Sequence, residues 1–125
     1  MKELMRSIGP WMHGVIDYGS VIILAVAPRV TGFSGKQAWI CYALAVVHFF
    51  LTILTRYPLG WVKVVGFPIH GAIELLVSVL LIIMPWLGGF SRGVLSTHFF
   101  VYFGLLLLVI WFLTDYRGLR GRTVK

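Results

Sequence analysis

The chain has 125 residues, of which 59% are apolar and only 12% are charged, whereas roughly 25% of the residues in an average soluble domain are charged. So few charged side chains cannot cover the surface of a soluble domain, which excludes a soluble nuclease, a soluble Rossmann-type enzyme and a disordered chain. The mean hydropathy of +0.93 instead predicts an integral membrane protein in contact with a lipid bilayer.

Four apolar segments each approach the roughly 20 residues that a helix needs to cross a bilayer. In chain order we predict these spans at about residues 10–29, 37–56, 68–87 and 94–114. The segments are too long for barrel strands, so the predicted fold is an all-α membrane protein, a four-helix transmembrane bundle in which residues 1–125 form one domain. The aromatic residues near the span ends are predicted to lie at the membrane interface: Trp11, Tyr57, Trp61 and Trp86.

The first span contains a histidine and an acidic residue four positions apart, His13 and Asp17. Residues at this spacing share one face of a helix. The span ends in Ala25-Val26-Ala27, which imitates a signal-peptide cleavage site. Asp17 within the apolar region and Pro28 directly after that site argue against cleavage, so we predict a retained first span.

The second span carries small and polar residues at heptad spacing, which predicts a helix-packing seam of Cys41, Ala45, His48, Thr52 and Thr55. The third span repeats the pattern of the first, with His70 and Glu74 on one face. His98 begins the fourth span, near the opposite face, and is predicted to be unrelated to these residues.

The first and third spans are parts of an internal repeat. A shift of 57 residues places residues 13–34 over residues 70–91 with 8 of 22 positions identical, and a shift of 59 aligns residues 54–57 with 113–116. We therefore predict two repeats, at about 10–57 and about 68–116, each a helix hairpin. Because each repeat contains two spans, both have the same orientation and are related by a pseudo-twofold axis along the membrane normal.

The basic residues are distributed unevenly between the connecting segments. Eight of the 11 lie at the two termini and in the middle loop, and three lie in the other two loops. This asymmetry predicts a cell (inner) membrane protein with both termini in the cytoplasm. Residues 117–125 form a basic tail that is predicted to meet anionic head groups. The tail has no aromatic residues for base stacking, so nucleic acid is not an expected partner.

Each hairpin unit has a proline near the end of its first span, followed by Gly-Phe-Ser at 32–34 and 89–91. These features resemble SPW-repeat membrane proteins, small bacterial and archaeal proteins with one or two two-span units. Ala27-Pro28-Arg29 and Met84-Pro85-Trp86 stand where that family has Ser-Pro-Trp. The resemblance covers about residues 10–116 and implies a small multi-pass membrane protein, without implying an activity.

The polar residues inside the spans are the candidate site, because each ionisable group at a helix centre costs roughly 2.5–3.5 kcal/mol on insertion scales. His13, Asp17, His70 and Glu74 are candidate ligands of a transition metal. Alternatively, His13 and His70, with His48 nearby, are candidates for binding a non-covalent haem. Proton or ion conduction, or a small-molecule, lipid or quinone site, are further alternatives for the same residues.

A structural role is the leading expectation. A histidine bonded to an acid one turn away satisfies both groups, and two such pairs would set helix register. The sequence contains no phosphate loop or Cys-x-x-Cys pair, which makes an enzyme the less favoured class. We therefore expect a structural, accessory or interaction-type membrane protein, working as a homo-oligomer or within a larger membrane complex.

Overall fold

The computed structural model describes residues 7–117, and within them the chain forms four helices. They are α1 (Pro10–Thr31), α2 (Lys36–Ile53), α3 (Phe67–Leu87) and α4 (Val94–Leu113). Each is long and apolar enough to cross a membrane, which confirms the predicted all-α four-helix membrane fold. The largest difference from the predicted spans is at the end of α2, which stops at Ile53 rather than at residue 56. Lys2, Arg6 and residues 118–125 of the predicted basic tail lie outside the described residues.

Proline and glycine residues set the helix ends. Pro10 and Pro68 occupy the first turns of α1 and α3, where a missing N–H leaves no intrahelical bond unmade. α1 ends at Gly32, whose φ of 82° lies in the left-handed region and whose N–H donates to the Pro28 carbonyl at 2.9 Å. This left-handed end reverses the chain into α2 within a few residues.

The bundle consists of two helix hairpins, because α1 packs against α2 and α3 packs against α4. Isolated parallel backbone pairings join the chain segments at one end. Ile8, before α1, pairs with Thr114, after α4, and Thr55, after α2, pairs with Val65, before α3. These pairings close the bundle at the end where α1 and α3 begin.

The interior changes character along the bundle axis. Away from the paired end it is apolar and includes Leu24, Cys41, Leu81, Phe100 and Leu107, each at most 3% exposed. Toward the paired end, the buried side chains of α1 and α3 are histidine, acidic and serine residues, together with Phe67. Large apolar side chains cover the outer surface, where lipid rather than water is the compatible solvent.

The predicted interfacial aromatic residues divide into two groups. Trp11, Trp61 and Trp86 are 57%, 82% and 61% exposed, as expected for side chains at a membrane interface. The interfacial assignment of Tyr57 is wrong, since this side chain is only 4% exposed. The chain after α2 turns inward and packs the Tyr57 ring against Phe67, with 5.3 Å between ring centroids.

Candidate metal centre

Four ionisable side chains from two helices converge inside the bundle near its paired end. His13 and Asp17 come from α1, and His70 and Glu74 come from α3. All four are at most 1% exposed, and one potential ligand atom from each lies within 4.8 Å of the others. The spacing of four residues puts both groups of each helix on its inner face.

The shortest contacts in this centre run between the two helices. His13 Nε2 lies 2.8 Å from Glu74 Oε2 but 3.2 Å from Asp17 Oδ1 on its own helix. His70 Nε2 lies 3.1 Å from Asp17 Oδ2 and 3.3 Å from Glu74 Oε2. The expected local pairs one turn apart are present, and they join into a single cluster in which each histidine lies closer to the acidic residue of the other helix.

A threonine holds His13 in one tautomer. Thr114 Oγ1 donates to the Ile110 carbonyl at 2.6 Å and lies 2.8 Å from His13 Nδ1. A hydroxyl has a single hydrogen, so Nδ1 must be the donor in the second contact. The hydrogen-bond network thus assigns the proton of His13 to Nδ1 and turns Nε2 toward the carboxylates.

His70 is held in the same way by a threonine beyond α2. Thr55 Oγ1 donates to the Leu51 carbonyl and lies 2.7 Å from His70 Nδ1, which must again be the donor. In a neutral imidazole with its proton on Nδ1, Nε2 presents a lone pair. Each Nε2 atom faces oxygen atoms that are acceptors when the carboxyl groups are ionised, so either a proton or a metal ion is required between the nitrogen and the oxygens.

Two tyrosines donate hydrogen bonds to the carboxylates. The Tyr57 hydroxyl donates to Asp17 Oδ2 at 2.9 Å, and the Tyr116 hydroxyl donates to Glu74 Oε2 at 3.1 Å. Burial, together with the charge of the adjacent carboxylate, raises the pKa of both tyrosines above the usual range, so both remain neutral donors. Donation to the carboxylates favours their ionised form.

These tyrosines and threonines are not among the site residues that the sequence pattern predicts. The available signal was the alignment of residues 54–57 with 113–116, which pairs Thr55 with Thr114 and Tyr57 with Tyr116. Phe67 is a further site residue that the sequence pattern did not indicate. Its ring packs over both histidines, with ring centroids 5.3 Å from His13 and 5.7 Å from His70. An apolar ring at the start of an apolar helix has no distinguishing sequence signal.

The glycine after each histidine lets the covering segments approach closely. A Cβ on Gly14 would lie 2.9 Å from Leu59, and a Cβ on Gly71 would lie 2.8 Å from the Tyr116 ring. Tyr18 also donates to the Leu59 carbonyl at 2.8 Å, which ties the middle loop to α1. The centre is thereby closed to its surroundings at the paired end.

Several polar atoms in the centre have no hydrogen-bond partner among the described residues. They are Asp17 Oδ1, His48 Nε2, His70 Nε2 and Glu74 Oε1. Buried polar atoms are nearly always satisfied, by protein, water or a bound ion. Their concentration at one point fits a site that could hold a metal ion.

His48 lies at the edge of this centre. Its Nε2 atom is 3.5 Å from Asp17 Oδ1, and its ring centroid is 6.4 Å from that of His70. The other members of the predicted seam are also buried: Cys41, Ala45 and Thr52 on α2, and Thr55 just beyond it. His98 is exposed and lies against Tyr102 on α4, outside the cluster.

A haem with His13 and His70 as axial ligands does not fit this arrangement. The Nε2 atoms of both histidines lie within 3.3 Å of the same Glu74 oxygen. The imidazole rings are 5.4 Å apart and nearly perpendicular. A planar macrocycle between them would have to displace both carboxylates, so the described residues favour a single ion over a porphyrin.

No protein-family model matches the chain, and neither a curated protein nor a solved structure matches it. Evidence about its function therefore comes from the arrangement of its own side chains.

Proposed function

We propose that this small multi-pass membrane protein binds one divalent transition-metal ion at the centre. The ligands would be Nε2 of His13 and His70 and the carboxylates of Asp17 and Glu74. The observation that carries the proposal is the pair of threonine-held histidines, whose Nε2 atoms face carboxylate oxygens. A divalent cation would use all four groups and balance the two negative charges, which are costly when uncompensated in an apolar interior.

The donor set and its dimensions support this proposal. Two imidazole nitrogens and two carboxylate oxygens suit zinc, manganese or iron. With bonds of 2.0–2.2 Å, the ligand atoms of a tetrahedral site are roughly 3.3–3.6 Å apart. The nitrogen–oxygen separations of 2.8–3.3 Å in the centre are close to that spacing, and one ligand atom from each of the four residues lies within 4.8 Å of the others. Metal-binding histidines also commonly donate their other N–H to a fixed acceptor, the role that Thr55 and Thr114 fill here.

The competing proposal is the structural or accessory role that the sequence favours. Two protons, one on each imidazole, would balance the same two carboxylates and leave two hydrogen-bonded ion pairs. This alternative accounts for the contacts of His13 and His70, including the 3.2 Å approach of His13 Nε2 to Asp17 Oδ1, but it leaves Glu74 Oε1 without a partner. A metal ion in the centre would give the Glu74 carboxylate a further positive partner.

The apolar interior away from the paired end is unfavourable for conduction of protons or ions through the bundle. Beyond Ser20 and Ser78, the described interior continues with Leu24, Leu81 and Phe100, each at most 3% exposed. A conducted ion would need polar groups or water along this stretch. A binding role is therefore favoured over a conducting one.

The metal proposal is tested with the full chain in mild detergent. After removal of metal with a chelator, Co²⁺ and Zn²⁺ are titrated and the bound metal is counted, while the visible spectrum of Co²⁺ reports its coordination. We expect one ion per chain in the wild type and in His98→Ala, which removes an exposed histidine outside the cluster. We expect loss of that ion in His70→Ala.

A wild-type protein that binds no more metal than His70→Ala would overturn the proposal. If His70→Ala then also lowers the unfolding temperature of metal-free protein, the structural alternative is supported. Dye-detected proton flux in liposomes that Glu74→Gln abolishes would instead support conduction.

We also infer that the chain consists of two repeats and is related to SPW-repeat proteins. The shift of 59 residues pairs Thr55 with Thr114 and Tyr57 with Tyr116, and each pair makes equivalent contacts with a histidine or a carboxylate. These equivalent contacts support the repeat. Exchanging residues 54–57 with 113–116 tests it, since equivalent segments should preserve folding and metal binding.

We further propose that the paired end of the bundle faces the cytoplasm of the inner membrane. Among the described residues, Arg56, Lys63 and Arg117 lie at this end, while Arg29, Lys36 and Arg92 lie at the other. The proposed orientation thus depends on the basic residues of the two terminal segments. Reporter fusions at the C-terminus test the orientation, and cross-linking in membranes tests the expected homo-oligomer or larger complex.

A further inference from the structure

The middle loop, residues 54–66, has a defined hydrogen-bonded shape. The backbone N–H groups of Trp61 and Val62 both donate to the Ile53 carbonyl, at 2.8 and 2.9 Å. The Arg56 N–H donates to the Val65 carbonyl at 2.7 Å. The side chains of this loop are therefore presented from a fixed backbone at the paired end of the bundle.

This backbone brings two basic residues together. Arg56 Nε donates to the Lys63 carbonyl at 3.0 Å, and both side chains are exposed. Residues 54–66 contain no aspartate or glutamate. The two positive charges have no acidic residue to balance them within the loop itself, which gives the loop an electrostatic preference for an anion.

Exposed apolar side chains surround the two basic residues. Trp61 is 82% exposed, Val62 is 57% exposed and Val64 is 58% exposed. The loop connects two membrane-spanning helices, so it lies at the level where head groups meet acyl chains. Tryptophan is enriched at this depth because its ring is apolar and its N–H is polar.

We propose that the middle loop is a binding site for an anionic phospholipid. Arg56 and Lys63 contact the phosphate, and Trp61 contacts the glycerol and upper acyl region. The guanidinium has five N–H donors, of which the bond to the Lys63 carbonyl uses one. The remaining donors suit phosphate oxygens. The three exposed apolar side chains favour an amphiphile over a free phosphate or an acidic protein segment. This site is independent of the proposed metal centre.

The test is native mass spectrometry of the full chain in detergent, titrated with phosphatidylglycerol or phosphatidylcholine. The double variant Arg56→Gln/Lys63→Gln removes both charges. A matched control, Lys36→Gln/Arg92→Gln, removes two exposed charges at the opposite end. Arg56→Lys/Lys63→Arg retains the charges at the site, and helical circular dichroism checks that each variant is folded.

We expect the wild type to retain phosphatidylglycerol in preference to phosphatidylcholine. Each basic residue near an anionic membrane surface contributes roughly fivefold to binding, so the first variant should lose about 30-fold in affinity for phosphatidylglycerol. The control at the opposite end and the charge-retaining variant should each stay within about twofold of the wild type.

Equal retention of the two lipids, or equal losses in the two Gln variants, would overturn the proposal. Displacement of the lipid by millimolar inorganic phosphate would also overturn it, since the site would then recognise phosphate alone.

Discussion

The threonine that orients His13 offers a direct test of the centre. In Thr114→Val the side chain keeps its shape but loses the hydroxyl that accepts the His13 Nδ1 hydrogen bond at 2.8 Å. His13 and Thr114 are 0% and 5% exposed, so water cannot easily replace the lost acceptor. The Nδ1–H group is then buried without a partner, and the imidazole is free to rotate or to change tautomer.

Two effects of different size are expected from Thr114→Val. An unsatisfied buried donor lowers the free energy of unfolding by about 1–3 kcal/mol. Loss of an outer-shell partner of a metal-binding histidine typically weakens metal binding by about 10–100-fold. We therefore expect a lower apparent unfolding temperature without metal, and a weaker response of that temperature to added Zn²⁺.

The measurement is thermal unfolding in detergent with and without Zn²⁺, with Zn²⁺ affinity determined against a chelator. Thr31→Val is the matched control, because Thr31 makes the same kind of bond, to the carbonyl four residues earlier, at a position outside the centre. Its expected change is within about 0.5 kcal/mol. If the two variants behave alike in stability and in Zn²⁺ affinity, the assigned tautomer and the role of Thr114 are refuted.

Two further substitutions test the packing around the centre and in the apolar core. Gly71→Ala places a Cβ 2.8 Å from the Tyr116 ring and should destabilise the protein by about 1–3 kcal/mol in thermal unfolding. Gly19→Ala meets no atom within 4 Å and should be neutral or stabilising by up to about 1 kcal/mol; equal effects of the two would contradict the close approach. Leu81→Ala removes a 1% exposed side chain and should cost about 2–5 kcal/mol. The 60% exposed Leu76, replaced by alanine, should cost much less, and the reverse order would show that the helix faces are misassigned.

The helices and the inner faces of α1 and α3 were predictable because both depend on local chemistry. An uninterrupted apolar run of about 20 residues has one stable form in lipid, a helix. A spacing of four residues places His13 beside Asp17 and His70 beside Glu74, whatever the rest of the fold does. The candidate ligands could therefore be named without a structure.

The environment of Tyr57 could not be predicted from the local sequence. An aromatic residue just after an apolar span fits the membrane interface equally well whether the chain continues outward or turns inward. Tyr57 turns inward because the backbone after α2 pairs with the segment before α3, as the Thr55–Val65 pairing shows. That pairing depends on the position of α3 relative to α2, which no periodicity encodes.

The sequence by itself determined that this chain has four membrane-spanning segments and that the acidic residues within them are matched with histidines four positions earlier. Both conclusions depend only on the residues of each segment, because apolar side chains favour lipid over water and because the helix period decides which residues share a face. Only the tertiary structure decided that His13 lies closest to Glu74 rather than to Asp17, and that Thr55 and Thr114 direct both Nε2 atoms inward. These contacts arise where two hairpins meet, so their chemistry depends on distances between helices rather than on any spacing along the chain.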